Sequence, residues 1–128
     1  MPKRAISTPR APAAIGPYSQ GIHAGNLLFV SGQISIDPTT GSLIDARDIG
    51  SQTRRVLQNI QEIVKAAGGT MDHIVRTTVF LKSMDDFSMM NTVYGEFFKT
   101  SAPARATVEV SRLPRDVSVE IDCIAVLD

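Results

Sequence analysis

The stretch Val117 to Val126, "VSVEIDCIAV", alternates with period two: Val117, Val119, Ile121, Cys123 and Ala125 are apolar, while Ser118, Glu120 and Asp122 are polar. Successive side chains of a β-strand point to opposite faces, so this pattern requires a sheet with one covered face and one face in different surroundings. A helix would scatter the same residues around its circumference. Other segments of the chain must therefore supply a cover for that sheet.

The preceding stretch alternates in the same way, with Ala106, Val108 and Val110 set against Arg105, Thr107 and Glu109. Between the two lies "SRLPRD", Ser111 to Asp116, which reads as the connection of a hairpin. Their apolar sets coincide when Thr107 opposes Glu120 and Arg105 opposes Asp122. Arg105, Thr107 and Glu120 are then expected on one face, the face that helices leave open.

The remaining elements fit that sheet. Tyr18 to His23 and Asn26 to Ile36 read as paired strands, ended by Asp37-Pro38-Thr39-Thr40-Gly41, and Val75 to Lys82 as another strand. From Asp48 to Ala67, the residues Ile49, Val56, Leu57, Ile60, Ile63, Val64 and Ala67 recur at three and four, an amphipathic helix stopped by Gly68-Gly69. Ser83 and Asp86 offer caps to a second helix, whose Phe87, Met90, Tyr94, Phe97 and Phe98 read as core. Right-handed crossovers place both helices on one side of a mixed sheet of five or six strands. The bare face predicts self-association. With 128 residues and no internal repeat, a single domain spanning 1–128 is expected.

Charge and cysteine content narrow the function classes. Thirteen basic and thirteen acidic residues cancel, which argues against nucleic acid and anionic membrane as partners. Cys123 is the sole cysteine, so no intrachain disulfide forms, and a reducing, cytoplasmic setting is expected. No apolar run is long enough to span a bilayer. Met1 to Gln33 contains Lys3, Arg4 and Arg10 but no acid, the bias of a targeting segment; the nearby Ile15-Gly16-Pro17-Tyr18 nevertheless reads as folded chain.

Two readings of Arg105 stand side by side. It pairs with Asp122 or Glu120 on a solvated surface, for ~0.2–1 kcal/mol. Alternatively, a neighbouring subunit encloses the face and the guanidinium fork is open to a carboxylate ligand. Gly32, inside "VSGQ", marks a bulge or a close approach, with its N–H and the Ser31 hydroxyl as candidate anion donors. His23 and His73 lack the spacing of a metal site and read as surface or turn residues. No phosphate-binding glycine loop or nucleophile elbow is present. Cys123 reads as a buried small hydrophobe.

The segments "APAAIGPYSQG" (11–21), "FVSGQISIDPTTG" (29–41), "RTTVFL" (76–81) and "PARATVEVSRLPRDVSVEIDCIAV" (103–126) closely resemble the RidA (YjgF/YER057c/UK114) family, in order and over nearly the whole chain. The resemblance implies an α+β, chorismate-mutase-like mixed β-sheet with two helices on one face. It also implies a homotrimeric barrel with small-molecule sites at the subunit interfaces, and enamine/imine deaminase activity. Reactive 2-imino acids such as 2-iminopropionate, formed from 2-aminoacrylate, would give 2-keto acids and ammonia without metal or organic cofactor. By position, Arg105 would bind the carboxylate with the Gly32 N–H, and Glu120 would position the attacking water. Tyr18, Ser31 and Thr107 would line the pocket. Thr107 stands where some relatives carry cysteine and keeps a hydroxyl but not a thiol's nucleophilicity.

Two further functions stay open on the same residues. A non-catalytic binder or sensor of small carboxylates shares the arginine and has no need of Glu120. An RNA-directed nuclease or translation inhibitor is associated with some relatives, although balanced charge and the lack of clustered cations with aromatics weigh against it.

Overall fold

In the computed structural model, residues 2–44 and 47–128 are described; Met1, Asp45 and Ala46, which the single-domain expectation spans, lie outside them. The elements are β1 (Lys3–Ile6), β2 (Gly21–Ala24), β3 (Leu27–Gln33), α1 (Ile49–Ala66), β4 (Ile74–Leu81), α2 (Phe87–Phe97), β5 (Ala104–Glu109) and β6 (Val119–Val126). They form a mixed sheet in the order β1-β2-β3-β6-β4-β5, with β4 and β5 parallel and the other neighbours antiparallel. This is the α+β architecture expected, with one addition. β1 is a strand that periodicity does not mark, because Lys3, Arg4 and Ala5 are all exposed and only Ile6 is buried.

α1 carries the main apolar stripe. Val56, Leu57, Ile60, Ile63 and Val64 are fully buried in the same core as Leu28, Val79 and Ile121 of the sheet. Its N-terminus is capped by Asp48, which accepts from Ser51 N at 3.2 Å and from Ser51 Oγ at 2.7 Å. At the other end Gly68 adopts φ +94°, and Gly69 N donates to Val64 O at 2.9 Å while Gly68 N donates to Lys65 O at 3.0 Å. These bonds satisfy carbonyls that the helix end would leave unpaired, as the Gly68-Gly69 pair predicts.

Buried polar residues on α1 fix irregular backbone. Asn59 Nδ2 donates to Ile34 O at 3.2 Å and to Ile36 O at 3.0 Å, and Ser118 N donates to Gln52 Oε1 at 3.0 Å. A buried amide without such partners would be strongly unfavourable. The helix thereby holds the chain just after Gly32 and just before Glu120.

The expected hairpin between the last two strands does not form. β6 inserts between β3 and β4, while β5 lies on the outer edge, parallel to β4 after the α2 crossover. The register places Thr77 beside Arg105, Val79 beside Thr107, Phe80 beside Glu120 and Thr78 beside Asp122. Val79 also lies beside Ile121, on the covered side. Arg105 and Thr107 consequently face the helices, and Glu120 faces the other way.

The physical reason lies in what each strand can bury. β6 has its odd-numbered residues Val119, Ile121, Cys123 and Ala125 almost wholly buried, which suits a central strand flanked on both edges. β5 turns Arg105, Thr107 and Glu109 toward the helices, which is tolerable at an edge, where the long side chains of Arg105 and Glu109 reach solvent. Parity alone admitted the hairpin. Competition among strands for the central position excluded it.

Both helices cover one face of the sheet, as expected. The other face exposes Leu27, Phe29 and Val108. Among the described residues, no helix is long and apolar enough to cross a membrane.

Candidate functional site

The sequence-marked residues fall into two groups on opposite faces of the sheet. The first is built around a bulge. β3 pairs with β6 from Leu27 to Val30 and again at Gln33, leaving Ser31 and Gly32 outside the register. A Cβ added at Gly32 would land on Glu120 Oε2 and lie 3.0 Å from Glu120 Cδ. Any larger residue there would have to displace the Glu120 carboxylate; the backbone is not left-handed. A cavity of about 490 Å³ opens beside this contact, and Tyr18, Ser31, Gly32, Pro114 and Glu120 are in its wall together with Ile15.

Two polar details define this group. Ser31 Oγ donates to Ser19 O at 2.6 Å, so its proton is engaged and the hydroxyl is left as an acceptor. This corrects the expectation that Ser31 donates to an anion. Glu120 is half-buried, and burial first, then the neighbouring Asp122 charge, raise its carboxyl pKa. No ion pair to Glu120 occurs among the described residues. A second, larger hollow of about 660 Å³ runs along the N-terminal segment and shares Tyr18, but no Asp, Glu, Lys, Arg or His lines it.

The second group surrounds Arg105 at the sheet edge. Its guanidinium carbon lies 4.7 Å from the Tyr94 ring centroid and 5.6 Å from that of Phe87, and Nη1 donates to Asn91 Oδ1 at 2.8 Å. Phe87, Asn91 and Tyr94 stand at i, i+4 and i+7 of α2, one stripe of the helix. Tyr94 is held by a 2.7 Å hydrogen bond between its hydroxyl and Thr77 Oγ1, and burial raises its pKa, keeping the phenol neutral. Thr107 follows Arg105 on the same side of β5, and its buried Oγ1 makes no hydrogen bond.

The surface ion-pair reading of Arg105 does not hold within the chain. Its partner is a neutral amide, not Asp122 or Glu120. The sequence reading assigned Phe87 and Tyr94 to the core and passed over Asn91. Met90, Tyr94 and Phe98 are indeed buried, but the stripe at 87, 91 and 94 also cradles the arginine. An aromatic–amide–aromatic pattern at helical spacing was the available signal.

The histidines have local roles. His73 Nδ1 accepts from Thr70 N at 2.9 Å, and His23 Nδ1 lies 3.1 Å from Arg4 Nη2. No group of His, Cys, Asp or Glu suited to a metal ion occurs among the described residues. Cys123 is buried, and burial pushes its thiol pKa up to about 12, the state of an unreactive core residue.

Comparison with known proteins places these features in a family. The model described as "Endoribonuclease L-PSP" matches residues 8–127. A RutC family protein of Pyrococcus horikoshii is 55% identical over 123 residues, covering 96% of this chain and 97% of that one. The 2-iminobutanoate/2-iminopropanoate deaminase of Salmonella typhimurium is 48% identical over 126 residues, covering 96% of this chain and 97% of that one. The crystal structure of Escherichia coli TdcF with bound serine superposes with a TM-score of 0.93 at 44% identity, covering 98% of this chain and 99% of that chain. Matching over nearly its whole length in sequence and in fold, the chain belongs to the RidA/YjgF family.

Proposed function

We propose that this protein hydrolyses small 2-imino acids to 2-keto acids and ammonia, at a site formed where two copies of the chain meet. The observation that carries the reading is the separation of two charges that lack opposite-charge partners. Arg105 is a cation matched only by a neutral amide and two rings; Glu120 is a carboxylate disfavoured by its surroundings. On one chain they lie on opposite faces of the sheet. Self-association through the open face, in the trimeric barrel that the resemblance implies, brings the edge of one copy toward the bulge of the next.

The chemistry suits such a site. Arg105 binds the substrate carboxylate through its fork, with the Gly32 N–H and the Thr107 hydroxyl as further donors. Tyr18 and Ser31 line the pocket. The enamine tautomerises to the imine, whose carbon is electrophilic. Water oxygen bonds to that carbon while Glu120 takes one water proton and passes it to nitrogen; Glu120 then relays the proton of the new hydroxyl to the amine as the C–N bond breaks, releasing ammonia and leaving the keto group. A raised carboxyl pKa favours this two-way transfer. The Salmonella relative carries the matching deaminase name, and the serine bound to TdcF is a small amino acid with a carboxylate.

A mixing experiment tests the reading directly. Arg105→Ala and Glu120→Gln proteins should each be inactive on imine generated in situ by an amino-acid dehydratase. Unfolding and refolding them together should restore activity, because some interfaces then receive both native residues. Equal keto-acid release by wild type and Arg105→Ala would sink the deaminase assignment. Failure of the refolded mixture to recover would sink the shared site. Binding of 2-oxobutanoate by wild type without turnover would favour the carboxylate sensor.

A further inference from the structure

The stripe on α2 carries an inference that rests on Arg105 as the carboxylate anchor and extends it. A guanidinium has five N–H donors, and an arginine at a protein surface commonly finds a carboxylate. Arg105 finds Asn91 instead. The contact is short, 2.8 Å, and comes from an exposed residue one helical turn beyond Phe87 and three residues before Tyr94. The two rings pack against the guanidinium, and the amide holds its Nη1 end by a hydrogen bond. Thr77 in turn fixes Tyr94 through the hydroxyl bond. Among the described residues no carboxylate is paired with the guanidinium, so its positive charge stays unmatched.

Neutrality is the informative part of this arrangement. An aspartate at position 91 would offer an oxygen at the same reach and would make the stronger hydrogen bond. It would also cancel the charge that attracts the ligand and compete for the same fork. Asparagine supplies the geometry without the competition. We propose that Asn91 is a positioning residue, which orients Arg105 while leaving its full positive charge available to the substrate carboxylate.

The order of effects among substitutions tests this. Asn91→Ala, Asn91→Asp and Arg105→Ala proteins are compared with wild type by calorimetry with 2-oxobutanoate and by kcat and KM on 2-iminopropanoate made in situ. Circular dichroism checks that each variant is folded; position 91 is exposed, and alanine suits a helix. Asn91→Ala should weaken 2-oxobutanoate binding and raise KM by about tenfold, with kcat changed much less, as expected for loss of one charge-assisted contact. Asn91→Asp should be worse still, by roughly a further tenfold, because the introduced carboxylate occupies the fork. A merely structural role predicts the reverse order, since aspartate is the closer match in shape. Affinity for Asn91→Asp equal to or above that of Asn91→Ala overturns the inference while the anchor reading stands. Undiminished binding by Arg105→Ala overturns the anchor reading, and the inference with it.

Discussion

The edge around Arg105 and the bulge around Glu120 are built by contrasting means. At the edge, a regular strand and a regular helix hold a charge by side-chain packing, with aromatic faces and a neutral acceptor that stabilise the cation. At the bulge, the backbone departs from the ladder and a missing side chain makes room for a carboxylate that its surroundings disfavour. One region stabilises its charged form and the other opposes it. Under the proposed function the contrast has a use: a fixed charge suits binding, and an easily changed one suits proton exchange.

Four substitutions would break or sharpen that contrast. Arg105→Ala should have the largest effect, lowering kcat/KM for a 2-imino acid by about a hundredfold or more, equivalent to ~3 kcal/mol of transition-state binding. Initial rates of keto-acid release would show it. Gly32→Ala should come next: its methyl would strike the Glu120 carboxylate, and the displacement should cost about 1–3 kcal/mol of stability with loss of turnover. Denaturant unfolding beside the activity assay checks both. A fully active, fully stable alanine variant would mean that Glu120 moves aside without penalty.

Tyr94→Phe keeps the ring under Arg105 but leaves buried Thr77 Oγ1 without its partner, so a loss of about 1 kcal/mol is expected in chemical denaturation. The smallest effect on stability, apart from the loss of turnover, is that of Glu120→Gln, and it has a pH signature. Because folding raises the Glu120 pKa, the folded state holds its proton to higher pH than the unfolded state does. Wild-type stability therefore falls as pH rises through that window. Glutamine removes this penalty, so its Tm should exceed wild type by about 1–3 °C at neutral pH. The gain should vanish below the ordinary carboxylate range, where Glu120 is protonated in both states. A Tm difference that is constant with pH would contradict the raised pKa.

Much of this was legible locally. The α1 periodicity, the Gly68-Gly69 stop and the irregular glycine in "VSGQ" each depend on neighbours a few residues away, and each appears where expected. Whether Arg105 and Glu120 share a face depended instead on which strand lies next to which. β5 and β6 alternate compatibly, so a hairpin satisfied every local rule; the central position went to the strand with the longer apolar set. Asn91 was missed because an asparagine on a helix has no meaning until an arginine from another element is placed against it.

By itself, the sequence determined the covered and open faces of β6, the two helices that do the covering, the close approach at Gly32 and, through its motifs, the family; for β5 it assigned the two faces the wrong way round. Only the tertiary structure decided that Arg105 and Glu120 lie on opposite faces, that the arginine rests on two rings and a neutral amide, and that the Ser31 hydroxyl donates its hydrogen bond to the Ser19 carbonyl. The physical reason is one of range. Alternation, helical stripes and glycine constraints act over a few residues and can be read along the chain, whereas strand order follows from competition among all strands for burial, and the partners of a charge follow from that order.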